Sequence, residues 1–177
     1  DGAVTGNTRR FGASLDKIKQ VVKPREGEIM FGLNLVVHKG KTIFVADTSV
    51  HEYPTSEQMS EIAISAARVV RLFGFDPKVA FVSHSTFGQP VTSRTKHIRK
   101  AVDILKDKNV DFKFDGDMQP DVALNKEYKN LYPFSNIVGN ANILIMPGQH
   151  SAAISYKMLK ELGDTKVIGP LLIGLGL

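Results

Sequence analysis

The stretch FKFDGDMQPDVAL (Phe112–Leu124) decides the fold when it is taken together with the two segments that follow it. NILIMPGQHSAAISYKMLKELG (Asn142–Gly163) reads as an apolar strand that ends near Pro147 and leads into a helix. VIGPLLIGL (Val167–Leu175) then reads as a glycine-punctuated strand. An acidic turn, a strand, a helix and a further strand in this order are typical of a layered α/β domain.

The rest of the chain continues this alternation of helices and strands. Apolar residues at helical spacing predict helices in three places, and Thr55 and Gln58 have the spacing of a capping box before the longest of them. Two β-branched runs flank His38–Lys41 and predict an antiparallel hairpin. We therefore expect a layered, largely parallel sheet with one hairpin near its start. The predicted helices are 13–22, 55–73 and 98–105, and the predicted strands are 29–37, 42–47, 79–83, 110–114 and 143–146.

Composition limits the possible functions. The chain has 177 residues, of which 42% are hydrophobic and 23% charged, which fits one globular domain. It has no cysteine, so disulfides and thiol catalysis are excluded. No apolar run approaches the roughly 20 residues of a membrane span. We expect neither a membrane nor a nucleic acid as partner, since basic residues are not interleaved with aromatic ones.

The net charge of +5 is spread along the chain, and Arg94–Lys100 is its densest basic cluster. This cluster falls on a predicted helix, where a solvated polar face explains it. A site for an anionic partner, such as a nucleotide phosphate, is the alternative interpretation. The sequence leaves both interpretations open.

Two short polar segments are candidates for binding an anion. Ser83–Gly88 (SHSTFG) follows a predicted strand, at the end where open α/β sheets place their ligands. Its hydroxyl and backbone N–H groups could hold a phosphate, or it could be a polar turn between strand and helix. Thr8, Arg9 and Arg10 precede the first predicted helix, where the planar arginine side chains suit phosphate or carboxylate.

Asp115, Asp117 and Asp121 raise the question of a metal site. Their spacing partly resembles a calcium loop, but the closing glutamate is missing. We therefore predict no metal site, and expect a turn whose carboxylates accept backbone N–H groups, with Gly116 in an unusual backbone conformation. No P-loop, dinucleotide-binding glycine motif or zinc-protease motif occurs.

Five segments in order resemble the phosphotransacetylase family. Thr42–Ala67 is, in addition, most similar to the version of that domain that is fused behind bacterial NADP-dependent malic enzymes. The five segments are VTGNTR (Val4–Arg9), VAFVSHSTFG (Val79–Gly88), FDGDMQPDVAL (Phe114–Leu124), NANILIMP (Asn140–Pro147) and KVIGPLLIGL (Lys166–Leu175).

The resemblance implies a three-layer α/β/α fold with a mixed, largely parallel sheet, like that of isocitrate and isopropylmalate dehydrogenases. Family members move an acetyl group between phosphate and CoA, using a serine and an aspartate that follow the segment matching Lys166–Leu175. We therefore expect residues 1–177 to be a phosphotransacetylase-like domain without its N- and C-terminal parts and without catalytic residues. The acyl-CoA or phosphate-binding candidates are Thr8, Arg9, Arg10, Ser83, Ser85 and Thr86.

The resemblance also suggests a function. The family usually has an arginine near the position of Asp16, and an acidic residue there would repel acetyl phosphate. We therefore expect a regulatory and oligomerising domain of a cytoplasmic NADP-dependent malic enzyme, with acetyl-CoA as effector and a homo-oligomeric assembly. NADP and a divalent metal ion (Mg²⁺ or Mn²⁺) would bind elsewhere in that parent, and no cofactor in this chain. The alternatives are a fragment of an active phosphate acetyl- or butyryltransferase and a purely structural dimer module.

Overall fold

The computed structural model describes Val4 and residues 8–176. Its strands are β1 (Phe31–His38), β2 (Lys41–Ala46), β3 (Lys78–Val82), β4 (Lys113–Met118), β5 (Ile143–Ile145) and β6 (Thr165–Ile173). Its helices are α1 (Phe11–Val21), α2 (Ser56–Leu72), α3 (Ser93–Asp107), α4 (Pro120–Leu124) and α5 (Gln149–Leu162), with a 3₁₀ helix at Lys126–Asn130.

The strands form one mixed sheet in the order β4-β3-β5-β2-β1-β6. Strands β2, β5, β3 and β4 are parallel neighbours, whereas β1 runs antiparallel to both β2 and β6. The predicted hairpin is confirmed, with His38 opposite Lys41 and Leu33 opposite Ala46. We call the edge at which β2, β3, β4 and β5 end the carboxyl edge of the sheet.

Alternating side chains divide the core into two halves, one on each face of the sheet. Phe44 and Phe81 pack with α2 and α3, whereas their chain neighbours Val45 and Val82 pack on the opposite face with α4 and Ala152 of α5. A strand that is buried on both faces can supply both cores only through this alternation. The three-layer α/β/α arrangement expected from the resemblance is confirmed.

The two long helices begin at capping boxes. The Thr55 hydroxyl accepts from Gln58 N (3.1 Å), and the Gln58 side chain accepts from Thr55 N (2.8 Å), as the sequence spacing predicted. Thr92 and Thr95 form the equivalent box before α3. Each box satisfies backbone N–H groups that have no partner inside the helix, and so fixes where the helix starts. No helix in the described residues has both the length and the apolar character needed to cross a membrane.

The predicted strand at 110–114 and the predicted turn at Asp115–Asp117 are wrong in position. The Asp-Gly-Asp triplet lies inside β4, which spans Lys113–Met118. Pairing with β3 places Gly116 opposite Phe81, and a Cβ at Gly116 would lie 2.7 Å from the Phe81 carbonyl oxygen. The expected unusual conformation of Gly116 is confirmed, since its φ is +151°. Close approach to a neighbouring strand, rather than a turn, explains this glycine.

The apolar residues of α5 have a different role from the one that their periodicity suggests. Ile154, Met158 and Leu162 have the spacing of one helix face, but they are exposed, Leu162 to 83%. Only Ala152 of this helix is buried. The described residues therefore leave an apolar face on α5.

A buried carboxylate organises the chain after β2. Asp47 Oδ1 accepts from the backbone N–H groups of Gly32 (2.8 Å), Ser49 (2.8 Å) and Val50 (3.1 Å). Its Oδ2 accepts from His51 N and from His51 Nδ1, each at 2.7 Å. Asp47 thus joins the start of β1 to the loop that leads towards α2.

These contacts determine the charge state of Asp47. Burial by itself raises the pKa of this carboxyl, but the hydrogen bonds from His51 and from the backbone N–H groups of Gly32, Ser49 and His51 outweigh it. The pKa of Asp47 therefore lies below its ordinary value, because the ionised form has the most hydrogen-bond donors around it.

We expect Asp47→Asn to lower the free energy of unfolding by about 3 kcal/mol, because an amide NH₂ would replace an oxygen that accepts from several N–H groups. Urea unfolding followed by circular dichroism measures this change. Asp103→Asn is the matched control, since Asp103 is exposed and pairs with Lys106 on the helix surface. We expect about 0.5 kcal/mol or less for the control, and equal losses in both variants would contradict a special role of Asp47.

The same contacts predict a pH dependence. Ionised Asp47 stabilises the fold fully above the unfolded-state pKa of about 3.9, and this contribution is lost as the pH falls through the lower pKa of the folded state. The difference in stability between the unmodified protein and Asp47→Asn should therefore persist down to about pH 4 and shrink below it. A difference that already fades between about pH 7 and about pH 5 would contradict a lowered pKa.

Candidate functional site

Three polar segments meet at the carboxyl edge of the sheet. Residues 47–55 follow β2, residues 83–92 follow β3, and Met146–Gly148 follow β5, which lies between β2 and β3. Gln149 N donates to His51 O (3.1 Å), so the segments after β5 and β2 are in direct contact. In parallel α/β sheets this edge is where ligands bind.

The Ser83–Gly88 loop is fixed to β4 by a second buried carboxylate. Asp117, which has no exposed surface, accepts from the Ser85 hydroxyl and from Gly88 N (3.0 Å). Phe87 N donates to the Asp117 carbonyl oxygen (2.7 Å), and Ser83 Oγ lies 3.0 Å from Ser85 Oγ. The hydroxyls of Ser83 and Ser85 therefore form their hydrogen bonds inside the loop, with each other and with Asp117.

The outer side of the same loop is fixed by Gln119. Its backbone N–H donates to Thr86 Oγ1 (3.2 Å), and its side chain donates to the His84 carbonyl oxygen (2.9 Å). Phe87 packs on Tyr132 and Phe134, with ring centroids 5.3 and 4.8 Å away. These contacts hold the loop in one conformation, which is what a pre-formed binding site requires.

The structure brings together three of the six residues predicted from the sequence. Ser83 and Ser85 are buried in the loop, and Thr86 is half-buried beside them. Thr8, Arg9 and Arg10 lie exposed directly before α1. Within the part of the chain that the structure describes, no hydrogen bond joins these two groups.

The three aspartates considered for a metal do not form a cluster. Asp117 is bound by Ser85 and Gly88, Asp115 accepts from Gly116 N (2.9 Å), and Asp121 lies in the first turn of α4. The predicted role of these carboxylates as acceptors of backbone N–H groups is confirmed for Asp115 and Asp117. Val4 and residues 8–176 contain no group of three or more His, Asp and Glu side chains able to hold a metal ion.

A cleft that the sequence did not reveal as a site lies beside these loops, between the first turns of α2 and α3. It has a volume of about 340 Å³. The guanidinium carbon of Arg94 lies 4.7 Å from the centroid of the Tyr53 ring, a cation–π contact between two residues of the lining. Its lining comprises Tyr53, Pro54, Thr55, Ser93, Arg94, His97, Ile98 and Pro147.

His97 joins the two helices that border the cleft. Its Nε2 lies 2.9 Å from the Pro54 carbonyl oxygen, which can only accept, so Nε2 is the protonated nitrogen. The Ser56 hydroxyl lies 3.1 Å from His97 Nδ1 and donates to the His97 carbonyl oxygen at 2.8 Å. His97 therefore shapes the wall of the cleft.

The only sequence signal for this cleft was the basic cluster Arg94–Lys100. Its other lining residues come from segments far apart in the chain, and no motif connects Tyr53 with Arg94. Lys100 pairs with Glu57 of α2 (2.7 Å), and this hydrogen bond lowers the pKa of Glu57 to about 2. One member of the cluster is thus part of an exposed ion pair, as the solvated-face interpretation requires, whereas Arg94 borders the cleft.

Comparisons with known proteins give the family. A family model described as phosphate acetyl/butaryl transferase matches residues 1–177. The chain is 46% identical over 175 residues to an NADP-dependent malic enzyme of Rhizobium meliloti, covering 99% of this chain and 23% of that protein. It is 34% identical over 184 residues to a phosphate acetyltransferase of Clostridium acetobutylicum, covering 98% of this chain and 55% of that protein.

Comparison with solved structures leads to the same family. A phosphotransacetylase from Streptococcus pyogenes superposes with a TM-score of 0.89 at 30% identity, over 97% of this chain and 53% of that one. The chain thus spans about a quarter of the malic enzyme and about half of the stand-alone proteins that it resembles. It belongs to the phosphate acetyl- and butyryltransferase family, as a phosphotransacetylase-like domain of the kind found both in malic enzymes and in phosphate acetyltransferases.

Proposed function

We propose that this chain is the regulatory and oligomerising domain of an NADP-dependent malic enzyme, and that it binds acetyl-CoA at the carboxyl edge of its sheet. One observation carries the regulatory part of the proposal. The serine hydroxyls of the Ser83–Gly88 loop lie against each other and against the buried Asp117 carboxylate. The loop therefore offers a rigid, pre-formed surface for binding.

The likeness to the malic enzyme of Rhizobium meliloti supports the choice of parent, because its identity extends over nearly the whole chain. In such a parent, malate would transfer a hydride from its hydroxyl-bearing carbon to NADP⁺ and lose a carboxyl group as CO₂, leaving pyruvate. NADP and a Mg²⁺ or Mn²⁺ ion would bind in domains outside this chain. A cytoplasmic location belongs to the same proposal.

Acetyl-CoA suits the charge and the chemistry of this domain. Its phosphates are anionic, and the chain has a net charge of +5. Under the proposal, Thr86 and the exposed Thr8, Arg9 and Arg10 contact the ligand, while Ser83 and Ser85 hold the loop in place for it. Regulation then requires that acetyl-CoA bind two conformations of the parent with different affinities.

An active phosphate acetyl- or butyryltransferase is the second candidate. The likeness to the phosphate acetyltransferase of Clostridium acetobutylicum and to the solved Streptococcus pyogenes structure favours it. In that reading the domain would position an acyl phosphate and a thiol for direct transfer, with arginines stabilising the developing charge. The serine and aspartate that the family uses would lie after the segment that ends at Leu175.

Titration of acetyl-CoA into the parent protein tests the proposal. We expect the rate of NADPH formation from malate to change about fivefold or more at saturation, the range of ordinary allosteric coupling. The combined variant Arg9→Ala and Arg10→Ala should weaken this response while the rate without acetyl-CoA stays unchanged. Lys126→Ala with Lys129→Ala is the matched control, since it removes two positive charges from the 3₁₀ helix.

Three other results would contradict the proposal in whole or in part. Formation of acetyl-CoA from acetyl phosphate and CoA, without malate activity, would support the acyltransferase. Malate activity that does not change with acetyl-CoA would support a purely structural module. If the rate still responds to acetyl-CoA in the variant that lacks both Arg9 and Arg10, these arginines do not belong to the binding site.

Self-association is part of the same proposal, with a second copy of the chain as the partner. The exposed apolar face of α5 supports it, because Met158 and Leu162 would be shielded from water in a dimer. We expect Met158→Glu to lower the mass measured by sedimentation from dimer to monomer. Lys160→Glu, on another side of the helix, should keep the dimer, and a monomeric unmodified protein would contradict this part of the proposal.

A further inference from the structure

Three of the five histidines of the chain contact one short segment of it. This segment, residues 47–55, follows β2 at the carboxyl edge and leads to α2, and we call it the strap. One imidazole belongs to the strap itself, one comes from α3 and one from the first turn of α5; they are His51, His97 and His150. Imidazole changes its charge between about pH 5 and pH 8, so the charge of these contacts changes in the same range.

The first of the three, His51, faces a buried carboxylate inside the strap. Its Nδ1 lies 2.7 Å from Asp47 Oδ2, and the lowered pKa of Asp47 keeps this carboxylate ionised and able only to accept. Nδ1 therefore carries a proton in both charge states of the ring. Uptake of a second proton at Nε2 turns the hydrogen bond into an ion pair, which is stronger. The contact of Asp47 with β1 runs through Gly32 N, which brings no charge.

The second, His150, joins the strap to α5. Its Nε2 lies 3.2 Å from Glu52 Oε1, and both side chains are largely exposed, so the neutral ring contributes a weak contact. Protonation makes this a charge-assisted hydrogen bond between the strap and the helix. The N-terminal end of the helix dipole disfavours a cation at this position, so the gain is partial.

The third, His97, joins the strap to α3. Its Nε2 donates to the Pro54 carbonyl oxygen (2.9 Å), and its Nδ1 lies 3.1 Å from the Ser56 hydroxyl. The same hydroxyl donates to the His97 carbonyl oxygen (2.8 Å), so its oxygen is left to accept. A proton on Nδ1 supplies the donor for that oxygen, and the charged ring then makes both contacts at once.

The charged groups around His97 limit the size of its effect. Arg94 lies one turn earlier on α3 and disfavours a second positive charge. Glu57, next to Ser56 on α2, favours one, because a pKa of about 2 keeps it ionised. Lys100 of α3 already pairs with Glu57 at 2.7 Å, which reduces that attraction. We therefore expect each imidazole to contribute a part of the response.

We propose that residues 47–55 form a pH-sensitive strap, which tightens against α3 and α5 when His51, His97 and His150 take up protons. In each of the three contacts the proton adds an ion pair or a missing donor, so the three effects have the same sign. Three strap residues line the cleft between α2 and α3, so a tighter strap fixes one wall of that cleft. The strap would respond to pH in each of the functions considered above.

The direction of the pH dependence follows from proton linkage. When the folded chain binds these protons more tightly than the unfolded chain, their contribution to stability is complete below about pH 6 and is lost as the pH rises towards about pH 8. Asp47 and Glu57 add nothing to a change in this range, because their lowered pKa values keep both ionised throughout it.

Thermal melting of the 177-residue chain at about pH 5.5 and about pH 8 tests the strap. The double variant His97→Gln with His150→Gln replaces two exposed imidazoles by neutral amides. We expect the melting temperature of the unmodified chain to exceed that of the variant by about 3 °C more at the lower pH than at the higher one. His84→Gln is the matched control, because His84 is exposed and lies outside the strap, and it should show no such pH-dependent difference.

Two further measurements separate the charge of the contacts from their shape. Glu52→Gln keeps an oxygen that accepts from His150 but removes the negative charge, so it should lose about 1 °C or more of the stabilisation at the lower pH. Nitrogen-15 NMR of the ring nitrogens at about pH 8 should find the proton of His51 on Nδ1 and that of His97 on Nε2.

Three results would each overturn the strap. The first is a melting-temperature difference between the unmodified chain and the double variant that is equal at the two pH values or larger at the higher one. The second is the same pH-dependent change in His84→Gln. The third is a neutral His51 that carries its proton on Nε2, because Nδ1 could then not donate to Asp47.

Discussion

Buried backbone N–H groups at the carboxyl edge set the constraint on which this domain depends. Where a strand ends inside the protein, the next residues still present donors that water cannot reach. Asp47 accepts from several backbone N–H groups, and Asp117 accepts from Gly88 N and from the Ser85 hydroxyl in the loop after β3. The two carboxylates are themselves acceptable in the interior only because these donors surround them. Hydrogen bonds to these two carboxylates therefore anchor the loops to the sheet, and the packing of Phe87 on Tyr132 and Phe134 adds to them.

Much of the fold was predictable because local signals coincide with the final structure. Capping residues such as Thr55, the β-branched runs of the hairpin and the spacing of apolar residues in α2 all act over a few residues. The position of β4 was not predictable in this way. The residue types of Asp115-Gly116-Asp117 favour a turn, but these residues form part of β4 because they pair with β3. Since β3 lies more than 30 residues earlier in the chain, local sequence does not reveal this pairing.

The positions of the candidate residues were predictable in part. The sequence placed Ser83–Gly88 after a strand that ends at the carboxyl edge, as the structure shows, and it placed the basic cluster Arg94–Lys100 on a helix; the binding role of these residues stays a prediction. The sequence could not tell that Ser85 turns inward, because Asp117 lies on another strand. It could not pair Tyr53 with Arg94 either, since neither belongs to a motif and only the packing of α2 against α3 brings them together.

The position of β5 has a consequence for how the chain folds during synthesis. This strand lies between β2 and β3 in the middle of the sheet, yet almost all of the other strands and helices precede it in the sequence. As the chain emerges from the ribosome, β2 and β3 are complete long before the strand that joins them exists. Until Ile143–Ile145 is made, β2 and β3 lack the strand that pairs with both of them, and the packing of α2 against α3 is what can hold the two halves of the sheet together.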